Sequence, residues 1–96
     1  MGWTLMRGST ELARLELQGT DMPWFLCSFH AGPAYADVEL LFVEQERLLA
    51  TEDWDAAEHL WERMHSQMTL LPDDKSETPI SEFLLRIEGD EARLRY

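Results

Sequence analysis

Cysteine is almost missing from this chain of 96 residues: Cys27 stands alone. One thiol excludes an intrachain disulfide and a thiolate metal cluster, and it fits a reducing, cytoplasmic interior better than a secreted scaffold. Cations are scarce too. Eight Lys and Arg face nineteen Asp and Glu, for a net charge of −11. Duplex nucleic acid is then a poor partner, because neutralising phosphate needs clustered Lys and Arg. No apolar run approaches the roughly 20 residues of a membrane span. Residues 1–7, Met-Gly-Trp-Thr-Leu-Met-Arg, lack the basic, apolar and small-residue layout of a signal segment. No Gly-x-Ser-x-Gly, Walker loop or dinucleotide fingerprint occurs, so nothing points to a catalytic or cofactor-binding site.

What is present is enough for one small core. Hydrophobic residues make up 45% of the chain and ten are aromatic, which argues against disorder and for a single domain over 1–96. The acidity is uneven: residues 31–77 hold twelve acidic residues against three basic ones, a net of −9.

The hydrophobic pattern predicts an α+β fold. Residues 3–7 and 11–17 read as a hairpin in which Leu5 opposes Ala13 and Trp3 opposes Leu15. A two-residue Gly8-Ser9 loop alone would mix the faces, so an odd loop or a bulge is required. A third strand covers 23–30, with Phe25, Cys27 and Phe29 on one face and Trp24, Leu26, Ser28 and His30 on the other. From Pro33 to Ala50 the period becomes helical, with Tyr35, Val38, Leu41, Phe42, Gln45, Leu48 and Leu49 as the stripe. A second helix, opening at 51–53, carries Trp54, Ala57, Leu60, Trp61, Met64 and Met68. Residues 69–71 form a short extended piece without an assigned place, and 72–79 a solvated, mobile loop. A last hairpin turns at Gly89-Asp90 and pairs Ile87 with Ala92, Leu85 with Leu94 and Phe83 with Tyr96. The expected whole is an antiparallel sheet of about five strands with both helices on one face.

Reactive side chains do not group. His59 and His65 are six residues apart, about 600° around a helix, and so lie on different faces. Glu62 and His65 have the Glu-x-x-His spacing of carboxylate di-iron bundles, which need a second such motif and four helices. Cys27 and His30 have opposite parity on one strand, so no metal or nucleophile site is expected. Asp55, Glu58, His59 and Glu62 on one side of the second helix suit an ordinary solvated face.

Two surfaces have a composition suited to contact. One is the acidic helical layer, with Glu44, Glu46, Glu58 and Glu62 among its members, which suits a basic partner. The other is the sheet face away from the helices. It carries Trp24, Leu26, Leu84 and Leu12 among Arg14, Arg86, Arg93, Arg95 and His30, unless the 72–79 loop covers Trp24. The first expectation is a non-enzymatic protein-interaction module, binding another protein or a second copy as a homodimer. The alternative is a small-ligand or catalytic site around Trp24, His30, Arg14 and Arg86.

Pro23-Trp24-Phe25 before Phe29, and Glu82-Phe83-Leu84-Leu85-Arg86-Ile87 with Gly89-Asp90, resemble a family of small bacterial proteins of unknown function. These motifs are structural, so the resemblance implies no activity and no functional residues.

Overall fold

The computed structural model describes Met1–Tyr96. Strands β1 (Gly2–Arg7), β2 (Thr10–Asp21) and β3 (Trp24–Ala31) form a meander, and a short 3-10 turn, Pro33–Asp37, follows. Helices α1 (Glu39–Ala50) and α2 (Trp54–His65) then lead to β4 (Met68–Pro72) and to the hairpin β5 (Leu84–Glu88) and β6 (Glu91–Arg95). The architecture is α+β, with one antiparallel sheet in the order β4-β1-β2-β3-β6-β5. No helix is long and apolar enough to cross a membrane.

The sheet has six strands where five were expected. The sixth is the unplaced segment, which pairs antiparallel to β1 with Leu5 opposite Leu70. Its short sequence, Met-Thr-Leu-Leu-Pro, has little periodicity of its own. What selects the strand is the free edge of β1 and the burial of Met68 and Leu70.

Both hairpin registers are as the patterns require. Leu5 faces Ala13 and Trp3 faces Leu15 across β1 and β2, with a two-residue turn and an irregularity that leaves Leu12 unpaired. Leu85 faces Leu94 and Ile87 faces Ala92 across β5 and β6, but the ladder ends at Leu84 opposite Arg95, so the expected Phe83–Tyr96 pair lies outside it. Gly8 and Gly89, each at φ 60°, supply the left-handed residue at the two turns. A second bulge leaves Gln18 unpaired between β2 and β3. Bulges bend a strand and increase its twist. Two of them in the twelve-residue β2 therefore favour the curl that lets the sheet wrap its helices.

Leu12 corrects the expected facing. It is fully buried in the core rather than on the outer sheet face, because the bulge removes it from the alternation. Its carbonyl accepts from Gly32 N at 2.9 Å, which ties the start of the 3-10 turn to β2. The helices also differ in detail. Val38, Phe42, Gln45 and Leu48 are buried as the stripe requires, but Leu41 and Trp54 are exposed.

Both edges of the sheet are partly covered. Ile80 brackets β4 through two backbone bonds with Leu70, at 2.8 and 2.9 Å. Helix α1 packs beside β5. Covering edges in this way removes templates for aggregation. The segment after β4 is held at its start by a two-bonded ion pair between Arg14 and Asp73.

Helix α1 ends in a Schellman turn: Glu52 N donates to Leu49 O at 3.1 Å and Asp53 N to Leu48 O at 3.0 Å. The left-handed position of that turn is occupied by Glu52, at φ 59°, where glycine is usual. Glu52→Gly should therefore stabilise the fold by about 1 kcal/mol, read as a raised urea midpoint. An unchanged or lowered midpoint would show that Glu52 makes a compensating contact.

A second prediction concerns acid. Hydrogen bonding to Arg14, aided by its charge, holds the Asp73 carboxyl below its ordinary value of 3.8. A lowered carboxyl stabilises the fold above the unfolded value, and that contribution is lost as pH falls through the folded one. Asp73→Asn should accordingly melt lower than the native chain at neutral pH, with the gap closing in strong acid. A gap independent of pH would assign the effect to packing instead.

Candidate functional site

The reversal between α1 and α2 forms one side of an apolar cleft. Leu49, in the last turn of α1, is brought next to Trp54, the first residue of α2. Asp53 caps that helix by accepting from Ala56 N at 3.4 Å. Seven residues on from Trp54, two turns along the same face, Trp61 is buried. Its Nε1 donates to the Phe83 carbonyl at 3.2 Å and its ring stacks on His65 at 5.4 Å. Across from the helices stand Leu84 of β5 and Trp24 of β3. Together these side chains line a cleft of about 310 Å³, with Gln45 on its wall and Glu58 and Arg86 as its charged members.

Trp24 therefore does not lie on a face remote from the helices. It is half-buried on the cleft wall. What lies over its ring is the Arg95 guanidinium, 5.8 Å from the centroid, while the start of the 72–79 segment is pinned at the other edge, beside β1. The physical reason is that α1 sits against the edge strand. Residues of β5 that alternate away from the core there meet the flank of a helix instead of water. Arg86 shows the same effect: it donates to Glu46 of α1 through Nε and Nη2, the latter at 2.8 Å.

The acidic residues divide into two groups. Glu46 is held by Arg86 with its side chain only 15% exposed, and Glu44 is paired with Arg47. Glu58 and Glu62 make no ion pair. With Asp55 they form a row at helical spacing on α2, beside the cleft.

The outer sheet face is more polar than an interface centre. Its broad depression, about 620 Å³, brings Leu26 and Arg86 together with Ser28, Arg93 and several carboxylates. The alternative site does not assemble. His30 lies six residues along β3 from Trp24, about 20 Å at strand spacing, and pairs across the sheet with Arg14. Arg14 is itself engaged by Asp73. His30 Nε2 lies 3.3 Å from Ser28 Oγ and 3.4 Å from Glu16. One ring nitrogen faces both groups, whereas a nucleophile relay needs the two nitrogens to serve different partners. Burial pushes the Cys27 thiol up to about 11, so it is a core side chain and a poor nucleophile. No three His, Cys, Asp or Glu side chains converge as a metal-binding group.

Leu49, Trp54, Trp61 and Gln45 belong to the cleft and were read from sequence only as core stripe. One signal did mark the place: Gln45 is a polar residue in an otherwise apolar helical stripe. It is buried to 93%, and its Oε1 has no hydrogen-bond partner.

The two ion pairs on α1 should behave differently. Glu46→Ala leaves a half-buried Arg86 unpartnered and should cost about 2 kcal/mol, measured by urea unfolding. Glu44→Ala, in an exposed helix pair, should leave the midpoint nearly unchanged. Equal losses would show that the Glu46 clamp adds nothing to ordinary surface pairing.

A scan against protein-family models, a search of curated proteins and a search of solved structures each find no match to this chain.

Proposed function

We propose that this protein is a non-enzymatic interaction module of the cytoplasm. Its cleft between the α1–α2 reversal and β5 takes an apolar side chain from a basic segment of another protein. The observation that carries this reading is the pairing of the cleft with the free carboxylates beside it. Trp54 is 60% exposed and Leu84 40% exposed, on either side of a pocket whose other walls are Trp24, Leu49 and Trp61. Exposed tryptophan around a concave apolar centre has the composition of a binding hot spot. The unpaired Asp55, Glu58 and Glu62 supply a rim of negative charge that favours Lys or Arg flanking the inserted side chain and speeds encounter.

The acidic layer and the Trp24 surface thus become one site rather than two alternatives. Glu46 supports it through Arg86 on its wall, while Glu44 is paired with Arg47 outside the cleft. Leu26 lies outside it, in the polar depression of the outer sheet.

Selection from a random peptide library on the immobilised protein tests this reading. Enriched peptides should place an aromatic or large aliphatic residue next to Lys or Arg, and should bind more weakly at high salt. Trp54→Ala should weaken them about tenfold or more, and the double change Glu58→Lys with Glu62→Lys should weaken them further. Glu39→Lys, an exposed acid at the start of α1, should have little effect. Peptides with neither feature, or ones that bind Trp54→Ala undiminished, would refute the site.

A further inference from the structure

We propose that the anchor residue of this site is a tryptophan, held by a hydrogen bond from its indole N–H to the side-chain carbonyl of Gln45. The inference rests on the cleft being the interaction site and names what it selects.

Gln45 is the one polar side chain buried on the core face of α1. A buried amide is ordinarily hydrogen-bonded, and an unpartnered oxygen is costly to keep. Leu or Met would fill the same space on the helix without that cost. Gln45 lines the cleft, so a change of its staggered side-chain torsions brings the whole amide to the cleft without moving the helix. A ligand donor arriving there supplies the missing partner and recovers the lost stabilisation on binding.

The other walls narrow the choice of donor. Trp24, Trp54 and Leu84 present flat or aliphatic surface, which a planar ring covers best. Arg86 stands on the wall, so a Lys or Arg head group would bury like charge beside it. Indole is a donor only. Its N–H satisfies Gln45 and leaves no acceptor unpaired, whereas a tyrosine hydroxyl that donates there still buries an oxygen that also accepts. A volume of about 310 Å³ is at the small end for ligand clefts and suits a bicyclic ring rather than a larger ligand. The free carboxylates of α2 then engage cations on either side of the tryptophan in a partner chain, which distinguishes a protein-borne indole from a free one.

The test is a titration of the full chain, followed through the tryptophan side-chain N–H resonances. The probes are N-acetyl-tryptophanamide, its 1-methyl-indole analogue, and a short peptide with one tryptophan between lysines. The native chain should bind the amide about fivefold or more tightly than the methylated analogue, and the peptide more tightly still, with a salt dependence. Gln45→Leu should remove the preference for N–H over N-methyl while melting no lower than the native chain. If leucine disturbs the packing, Gln45→Met provides the same comparison with a closer shape.

Equal binding of amide and methylated analogue by the native chain would overturn the role of Gln45 while leaving the cleft as a binding site. A peptide no tighter than the free amide would overturn the protein-borne source. If no probe shifts Trp24 or Trp54, the interaction site itself fails, and the inference with it.

Discussion

The structure depends on a run of ring contacts that locks the helix pair into the concave face of the sheet. Phe29 of β3 meets Tyr35 at 4.8 Å, Tyr35 meets Phe42 at 5.9 Å, and Phe42 meets Trp61 at 6.4 Å. Trp61 then meets Phe83, next to β5, at 5.7 Å. Each link joins a different element, so the rings set the distances between layers as well as filling space. The run starts in the middle of the sheet and ends at its β5 edge. It therefore draws α1 against that edge, and this placement permits the Glu46–Arg86 clamp and forms the back wall of the cleft.

Three of the eight cations of this acidic chain fasten elements together. Arg7 pairs with Asp37 after the 3-10 turn, Arg14 with Asp73 after β4, and Arg86 with Glu46 across layers. Arg95 lies over Trp24. Exposed pairs of this kind contribute little stability each, but each cation also cancels an acid or covers an aromatic ring. The uncancelled acids of α2 stand beside the cleft. Net charge by itself speaks only to solubility; in the proposed site it is this residual pattern that would direct a basic partner.

Much of the fold was legible because strand parity and helix period are strict rules. Leu5 with Ala13 and Leu85 with Leu94 could be paired from sequence, since a one-residue slip would turn apolar side chains to water. The need for a bulge near Leu12 followed from the same rule, whereas its consequence for Leu12 did not, because a bulged residue leaves the alternation. Strand β4 was not legible as a strand: five residues beside an edge are selected by their neighbour. Trp24 was assigned to the correct side of its strand and the wrong surroundings. Parity says which way a side chain leaves the sheet, but not that a helix lies alongside the sheet edge.

Gln45 shows how a site is visible as an inconsistency. The other buried residues of its stripe, Val38, Phe42 and Leu48, are apolar and agree with the period and packing of α1. Foldable sequences tend toward such agreement at every level, and departures concentrate where function opposes stability. An apolar residue at this position would satisfy the core and leave a cleft of tryptophan and leucine able to hold almost any greasy side chain. A buried amide weakens the empty cleft and penalises occupants without a donor, because they leave its carbonyl unpaired. Discrimination of this kind comes from what the wrong ligand fails to satisfy. On the proposed reading, Gln45 has a physical reason to stand in a helix stripe that packing alone would fill with leucine.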